Sequence, residues 1–460
     1  MADYSESVQN TLKKNSVKIG DKIEITKDSK KYTGIIMPKS AGDPNVLVLK
    51  LDSGYNIGLE LSEKMKISKI SEKKEEKKTP EKTVIVPKAV SSDKSKPTIA
   101  ILHTGGTVAS KLDYRTGGVV SLFSAEDIIS MYPELKNIAN IRAKVVFQMW
   151  SEDMEPDHWQ KLAHYVYNEI MEEGCDGIII TQGTDTIHYT SAALAFMLRD
   201  LPVPVLIVGS QRSSDRGSSD SGMNLICAAR FIAESDFSGV AVCMHASSSD
   251  DLCNILPACK TRKMHTSRRD AFRPVNAKPI ARINYATGKI DYITLSYARK
   301  DVKRIPKLEN KFEKRVSLIK TYPGIKADAF EYCKNYKGLV IESTGLGQMP
   351  TSKTDDITAH HPEMLAKIKE FIKNGLFVFM TSQCLYGRVN LQVYSAGRDE
   401  LAAGILPAYM LPEVAFVKLG WVLGHTRDPA EVKRLMETDI AGEIIERSEL
   451  DEFPDEELEK

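Results

Sequence analysis

This chain has almost no excess of positive over negative charge. Its 460 residues hold 63 lysines and arginines against 62 aspartates and glutamates, a formal net charge of +1. A balanced chain has no overall field for drawing in a polyanion, so any contact with RNA has to come from a local patch or a partner. Long apolar runs are missing too: none approaches the length that spans a bilayer, and no membrane association is expected. The opening MADYSESVQNTLKKNSVKIG has no basic region followed by an apolar one, which argues against a secretory signal and for a cytoplasmic location. The seven cysteines are an odd number without a C-x-x-C pair, and Cys227 in NLICAARFIA and Cys243 in GVAVCMH sit inside apolar stretches. Buried, reduced thiols are expected. His103, His188, His245 and His265 are scattered, with no H-E-x-x-H and no Cys/His pairs at zinc spacing. Each is expected to be a packed or surface histidine, and neither a metal nor a cofactor is expected in the chain.

What is present is enough apolar material, 42% of residues, to fill real cores, and enough length for two or three domains. Residues 17–70 read as short strands joined by tight turns: DKIEIT alternates, NVLVLKL is β-rich, and Asp52-Ser53-Gly54 supplies turn chemistry. A small β-barrel over residues 1–70 follows. Residues 71–97 are dense in charge, proline and serine, and read as an exposed linker in which VIV can dock locally. From Thr98 the pattern changes. TIAILH, GIIIT, PVLIVGS and GVAVCMH are continuous apolar runs ending in glycine or polar turns, with helix-like DHWQKLAHYVYNEIMEEG and SGMNLICAARFIAES between them. That alternation predicts an α/β domain over 98–310, built on a parallel sheet covered on both faces. KGLVIES, PEMLAKIKEFIKNG and LFVFMTSQ repeat the logic, predicting a second α/β domain over 335–445; residues 446–460 read as a solvated acidic tail.

In open α/β sheets, ligands bind where loops leave the carboxyl ends of strands. TIAILH runs into Thr104-Gly105-Gly106-Thr107, and GIIIT runs into Gln182-Gly183-Thr184-Asp185-Thr186, which opens a helix. Taken singly, a T-G-G-T turn is more often structural, and Thr184, Asp185 or Thr186 can simply cap the helix. The first loop is neither G-x-G-x-x-G nor a phosphate-cradling P-loop. Together with Val208-Gly209-Ser210-Gln211-Arg212, then Asp215, Asp220 and Asn224, then Lys263-Met264-His265-Thr266 and Asp270-Ala271-Phe272, these loops form an ordered set. The set resembles the asparaginase/glutaminase family over residues 97–425, and SQCLYGRVNLQVYSAGR (382–398) resembles that family's smaller C-terminal domain. The β-rich extension with its VLKLDSGYNIG run, followed by a charged linker, resembles the archaeal tRNA-dependent amidotransferase branch and is absent from ordinary asparaginases.

The resemblance implies an asparaginase-like two-domain parallel-sheet α/β fold behind a small N-terminal β-barrel, and an activity that hydrolyses glutamine to glutamate and ammonia. It places Thr107 at the nucleophile position and Thr184, Asp185 and Lys263 in a second triad, leaving open whether Thr184 helps activate the nucleophile or the water. Arg262, Arg268 and Arg269 are expected to keep Lys263 poised for proton transfer, with Asp185 opposing. Tyr114, in Asp113-Tyr114-Arg115-Thr116-Gly117-Gly118, matches a tyrosine on a mobile lid. Ser151 and Glu152 fall where the substrate's α-carboxylate and α-amine bind, the alternative for Glu152 being the first turn of a helix opened by Pro156. The asparagine by which secreted asparaginases reach a neighbouring protomer's site has no clear counterpart around 345–350. As partners the resemblance implies glutamine, the E subunit of such an amidotransferase with its ATP and Mg²⁺, and Glu-tRNA(Gln) held mainly through that E subunit. It also implies a homodimer core inside a heterotetramer. A free-standing cytoplasmic L-asparaginase and a non-enzymatic amino-acid sensor are the alternatives.

Overall fold

The computed structural model describes residues 4–27, 30–37, 43–51, 56–62, 65–70, 93–106, 110–113, 118–121, 128–129, 131–212, 219–449 and 453. Most of the linker, Thr107, Tyr114, Asp215 and most of the acidic tail lie outside them.

Five short strands near the amino terminus form an antiparallel, barrel-like sheet: Lys22–Lys27, Lys30–Ile36, Val46–Leu51, Asn56–Glu60 and Lys66–Lys69. Period-2 alternation sends Ile23 and Ile25 inward, where they meet Ile36, Leu47 and Leu49. The sequence pattern did not reveal the helix Glu6–Lys14, which lays Val8 and Leu12 on the same core. Its position is fixed by Tyr4, whose hydroxyl donates to the Met37 carbonyl at 2.7 Å and accepts from the Val48 N–H at 3.1 Å. The helix supplies the apolar cover that a sheet of this size needs to hold together.

The central body is an eight-stranded sheet. Asn140–Met149, Thr98–Gly105, Gly177–Thr181, Pro204–Val208 and Gly239–His245 run parallel, in that order across the sheet. Their side chains alternate between two buried faces. Ile178 and Ile180 pack with the helices Pro156–Met171 and Ile187–Met197, whereas Ile179 packs against the helix Ser221–Glu234. Leu252–Pro257, Ala281–Asn284 and Ile290–Tyr292 extend the sheet antiparallel, which the apolar pattern did not foretell. Only residues 246–251 separate His245 from Leu252. A parallel crossover takes about a dozen residues or more, so the chain has to double back.

A second, wholly parallel sheet joins Val316–Lys320, Gly338–Ser343, Phe377–Ser382 and Leu406–Pro407. The α/β class and the parallel strands of both sheets are therefore as read from the sequence, whereas the first sheet is mixed rather than wholly parallel. Helix Pro412–His425, apolar on nearly every side, lies between the two sheets' layers and carries the contact between them. Phe196 stacks on its Trp421 with ring centroids 5.9 Å apart, and Tyr189 meets its Phe416 edge-on at 6.3 Å. Six of the cysteines are buried thiols as expected; Cys384 is exposed.

One buried carboxylate in the second body makes its stability depend on pH. Glu400 is fully enclosed; one oxygen accepts from the Met349 N–H at 2.9 Å, and Oε2 has no partner among the described residues. Burial, with Asp399 adding to it, pushes its carboxyl from 4.5 up to about 7. A folded value above the unfolded one means the contribution is complete below 4.5 and is lost as pH rises through about 7. Glu400→Gln is therefore expected to flatten the fall in thermal midpoint between about pH 5 and about pH 8. A variant whose midpoint falls as steeply as the parent's would remove Glu400 as the cause.

Candidate active site

The loops that leave the carboxyl ends of three parallel strands converge. Gly105 and Gly106 have φ of +125° and +80°, a region L side chains rarely adopt. A methyl group on Gly105 would lie 2.0 Å from the Met149 carbonyl oxygen, and one on Gly106 would lie 2.5 Å from the Gly183 nitrogen. Glycine is thus required twice in succession for the first loop to lie flat against the other two. Gly183 also lies close to Ser151, though less tightly: a methyl there would come within 2.9 Å of its Oγ. Ser151 Oγ accepts from the Asp185 N–H at 3.2 Å, and the Ser151 carbonyl accepts from Thr186 Oγ1 at 2.7 Å. Gln182 Nε2 completes the turn by donating to Thr186 Oγ1 at 3.3 Å.

Thr184–Thr186 form a single 3₁₀ turn ahead of the helix Ile187–Met197, and neither N-cap position of these two elements carries a side-chain capping bond. The helix-cap role that these hydroxyls could have filled is not taken up. Instead Thr184, almost fully buried, receives the Lys263 ammonium: Nζ donates to Thr184 Oγ1 at 2.8 Å and to Asp185 Oδ1 at 2.8 Å. The Lys263 side chain is 10% exposed while that of Asp185 is 64% exposed, so the pair sits at the floor of an open mouth. Gly209 allows Thr184 this position, because a methyl on Gly209 would lie 2.7 Å from Thr184 Cγ2.

Lys263 reaches the site from a short hairpin, Thr261–Lys263 paired antiparallel with Phe272–Pro274. The Asp270-Ala271-Phe272 motif is the anchor of that hairpin. Phe272 and Ala271 are buried, the Met264 N–H donates to the Ala271 carbonyl at 2.7 Å, and Asp270 takes both Arg268 and Arg273. The Arg268 guanidinium, bonded to it through two nitrogens, is the main reason that the Asp270 carboxyl stays below the usual range. The basic cluster expected to act on Lys263 has other work. Arg268 holds Asp270, Arg269 holds Asp250 and Arg262 holds Glu413. Strand alternation explains the last: Arg262 and Lys263 are neighbours and must point to opposite faces.

Behind the site lies a buried polar frame. Asp220 accepts from Ser210 Oγ at 2.9 Å, from the Gln211 and Arg212 N–H groups at 3.0 and 2.9 Å, and from Asn224 Nδ2 at 3.2 Å. His245 Nδ1 meets Asn224 Oδ1 at 2.6 Å. His103 contacts Thr181 Oγ1 at 2.7 Å, and burial drops its imidazole to about 3. His103 and His245 are packed and His265 is exposed, as expected of unremarkable histidines. His188 is different. It stands one turn after Thr184, and burial followed by the nearby Arg262 and Lys263 charges lowers it to about 4, so it is neutral at physiological pH. Its Nδ1 is enclosed without a hydrogen-bond partner among the described residues.

Ser151 and Glu152 stand in a 3₁₀ turn, Ser151–Asp153, at the mouth. Glu152 is exposed and its Oε2 lies 3.5 Å from Ser151 Oγ. The helix opened by Pro156 is capped by Glu155, so Glu152 does not belong to its first turn. Thr107 and Tyr114 lie outside the described residues; the strands that flank the Tyr114 segment, Ser110–Asp113 and Gly118–Ser121, form an antiparallel pair. A cavity of about 920 Å³ lined by Gly239, Pro257 and Tyr297 opens at the other end of the sheet, away from Lys263. No group of three or more metal-ligating side chains occurs among the described residues.

Residues 98–295 match the family model for the asparaginase N-terminal domain, 315–436 that for the glutaminase/asparaginase C-terminal domain, and 17–70 that for the GatD N-terminal domain. The D subunit of the glutamyl-tRNA(Gln) amidotransferase of Pyrococcus furiosus is 46% identical over 447 residues, 95% of this chain and 97% of the relative. Its counterpart in Methanothermobacter thermautotrophicus is 43% identical over 98% of this chain and 99% of its own. Among solved structures, the L-asparaginase of Thermococcus kodakarensis superposes with a TM-score of 0.67 at 31% identity, covering 75% of this chain and 99% of that one. L-asparaginase I of Vibrio cholerae gives 0.63 at 25% identity, covering 76% and 99%. An asparaginase-type body accounts for about three quarters of the molecule and the amino-terminal β domain for much of the rest: the chain belongs to the family of glutamyl-tRNA(Gln) amidotransferase D subunits.

Proposed function

We propose that the chain is the glutaminase component of a tRNA-dependent amidotransferase, hydrolysing glutamine to glutamate and ammonia for use by a partner. The observation that carries this reading is the bond from Lys263 Nζ to both Thr184 and Asp185, each at 2.8 Å, beside a doubly glycine-backed loop that leads directly into Thr107. Amide cleavage needs a nucleophile, a base and donors for the tetrahedral oxyanion. Thr107 is the nucleophile: its oxygen attacks the side-chain carbonyl, the C–N bond breaks with a proton passing to the leaving ammonia, and water then hydrolyses the glutamyl ester. Lys263 in its free-amine state accepts the proton through Thr184, and Asp185 orients the ammonium that results. The N–H groups at the start of helix Ile187–Met197 favour negative charge at the oxyanion. Ser151 and Glu152 hold the substrate's α-carboxylate and α-amine, and Tyr114 closes over it. The amidotransferase's E subunit supplies ATP, Mg²⁺ and most contacts to Glu-tRNA(Gln), around a homodimer core in a heterotetramer. This chain needs no cofactor for its half of the reaction.

The likeness to stand-alone asparaginases favours a second reading, free-standing asparagine hydrolysis. The amino-terminal β domain argues against it, because hydrolysis alone gives that domain nothing to do. Purified chain assayed with glutamine and with asparagine, alone and then with partner and charged tRNA, separates the two. Glutaminase activity that depends on partner and tRNA is the expected result. Efficient asparaginase activity by the chain alone would replace the proposal with the second reading.

The loop packing makes a further prediction. Gly106→Ala would force a methyl to within 2.5 Å of the Gly183 nitrogen, so the two loops must move apart by roughly 1 Å, a displacement that costs on the order of 10²-fold in rate. The glutaminase kcat of this variant is expected to fall by about that factor with the fold retained. A kcat within a few-fold of the parent would mean that the contact between the loops does not matter for chemistry.

A further inference from the structure

We infer that Glu413 of the C-terminal domain, acting through Arg262, is a positioning residue for Lys263. The inference rests on the reading of Lys263 as a member of the hydrolytic centre. Arg262 Nη1 donates to Glu413 Oε2 at 2.8 Å, 151 residues away in sequence, and this is a contact between the two α/β bodies. Glu413 is 2% exposed and stands in the first turn of helix Pro412–His425. Its second oxygen is enclosed with no partner among the described residues, so Arg262 is its one charge-bearing hydrogen-bond donor there. A carboxylate this deeply enclosed holds its cation firmly, because its own charge has no water to return to when they part.

What makes the pair more than a staple is where its ends lie. The hairpin that carries Lys263 is short, three residues paired with three, and is anchored on one side by Phe272. On the other side, Arg262 fixes it to helix Pro412–His425. The helix Ile187–Met197, which begins just after Thr184 and Asp185, rests on that same helix through Tyr189 against Phe416 and Phe196 against Trp421. Both ends of the bond from Lys263 to Thr184 are therefore set from one element. Helix Pro412–His425 fixes Thr184 from below by aromatic packing and Lys263 from the side by an ion pair. Without the ion pair the hairpin keeps its fold but loses its lateral reference, and the amine no longer meets the hydroxyl at hydrogen-bond distance.

A double variant separates position from stability, since a buried ion pair replaced at both ends by apolar groups commonly leaves the fold intact. Arg262→Met with Glu413→Leu, assayed in the complete complex, is expected to keep a thermal midpoint close to the parent's. Its glutamine KM should hardly change, while kcat falls on the order of 10²-fold. Arg262→Lys, which preserves the cation, should recover much of the kcat that Arg262→Met loses. Should the double variant unfold, Glu413→Gln carries the same test, with a smaller loss of kcat expected at unchanged KM. Native kcat in either folded variant, or no recovery by Arg262→Lys over Arg262→Met, overturns the inference. A parallel Lys263→Met variant tells the two readings apart. If it is inactive while the double variant is fully active, only the positioning role fails; if Lys263→Met is itself active, the assignment of the centre fails and the positioning role with it.

Discussion

Glutamine hydrolysis by a Lys263→Met chain is expected to be slower in kcat by about 10⁴-fold or more, the loss found when one member of a catalytic triad is removed. Methionine fills the channel that the lysine stem occupies, so the side chain's packing is kept while its donor disappears. Thr184 then loses the group 2.8 Å from its hydroxyl, and Asp185 loses its partner. Little stability should go with them. Asp185 is 64% exposed, so its carboxylate returns to water, and pairs of this kind contribute about 0–1 kcal/mol. The thermal midpoint is therefore expected to stay near the parent's, which separates a chemical defect from a structural one. Lys263→Arg extends the test, because a guanidinium keeps the charge and cannot give up its proton at working pH. It is expected to be nearly as slow as Lys263→Met. Since the residues act as a unit, Thr184→Val combined with Lys263→Met should be no slower than the single variant. Near-parental turnover by Lys263→Arg in single-turnover glutamate release would remove Lys263 from proton transfer.

That these residues can be named from sequence follows from the kind of signal each part of the molecule emits. A parallel strand buried on both faces has to be a continuous apolar run, so GIIIT and PVLIVGS stand out. The loops after them are visible because strand ends are where glycines and hydroxyls collect. The meeting of Lys263 with Thr184 is of another kind: 79 residues separate them, and no local periodicity encodes that approach. Only the ordered set of motifs, and the family it resembles, put the two on one site. Other features emit no signal at all. The antiparallel extension from Leu252 follows from a short connection rather than from any change of composition. The helix Glu6–Lys14 carries just two buried apolar residues, too few to stand out by pattern. Arg262 reads in the sequence as part of a positive field around its neighbour, since adjacent residues look as if they act together. In a strand they face apart, and its partner Glu413 lies in a helix of the other body. The histidines are equally silent: nothing in the sequence distinguishes His188 from His103, yet one lies beside the Lys263 centre and the other is packed behind it.

Removing the ammonium of Lys418 is expected to be the most damaging single change to stability, about 3–5 kcal/mol, because it strands a buried charge. Lys418 projects from the middle of helix Pro412–His425 and is fully enclosed, as is its partner Glu443. Its Nζ also donates to the carbonyls of Met436 at 3.2 Å and Thr438 at 2.7 Å, while Glu443 accepts from the N–H groups of Ile440 at 3.0 Å and Ala441 at 2.6 Å. Burial lowers the Lys418 amine and raises the Glu443 carboxyl, each partner opposing the other's shift without cancelling it. The signs decide the design of the test. A lysine whose folded value lies below 10.5 contributes fully above that pH and loses its contribution as pH falls through the folded value. A glutamate whose folded value lies above 4.5 contributes fully below it and loses out as pH rises. Each group carries its charge against its burial, and the ionic bond offsets that cost only while both ends are present. Lys418→Met alone should unfold at markedly lower denaturant. Lys418→Met with Glu443→Gln should recover most of the loss, since the amide oxygen still accepts from Ile440 and Ala441 and no charge is left uncompensated. Equal instability of the single and double variants would show that the buried network matters through its hydrogen bonds and not its charge. The consequence reaches the catalytic end as well: Lys260, three residues before Lys263, donates to the Ile444 carbonyl at 2.9 Å, next to Glu443. The pair thus braces the segment against which the Lys263 hairpin begins, and neutralising both ends by the second substitution should restore turnover together with stability.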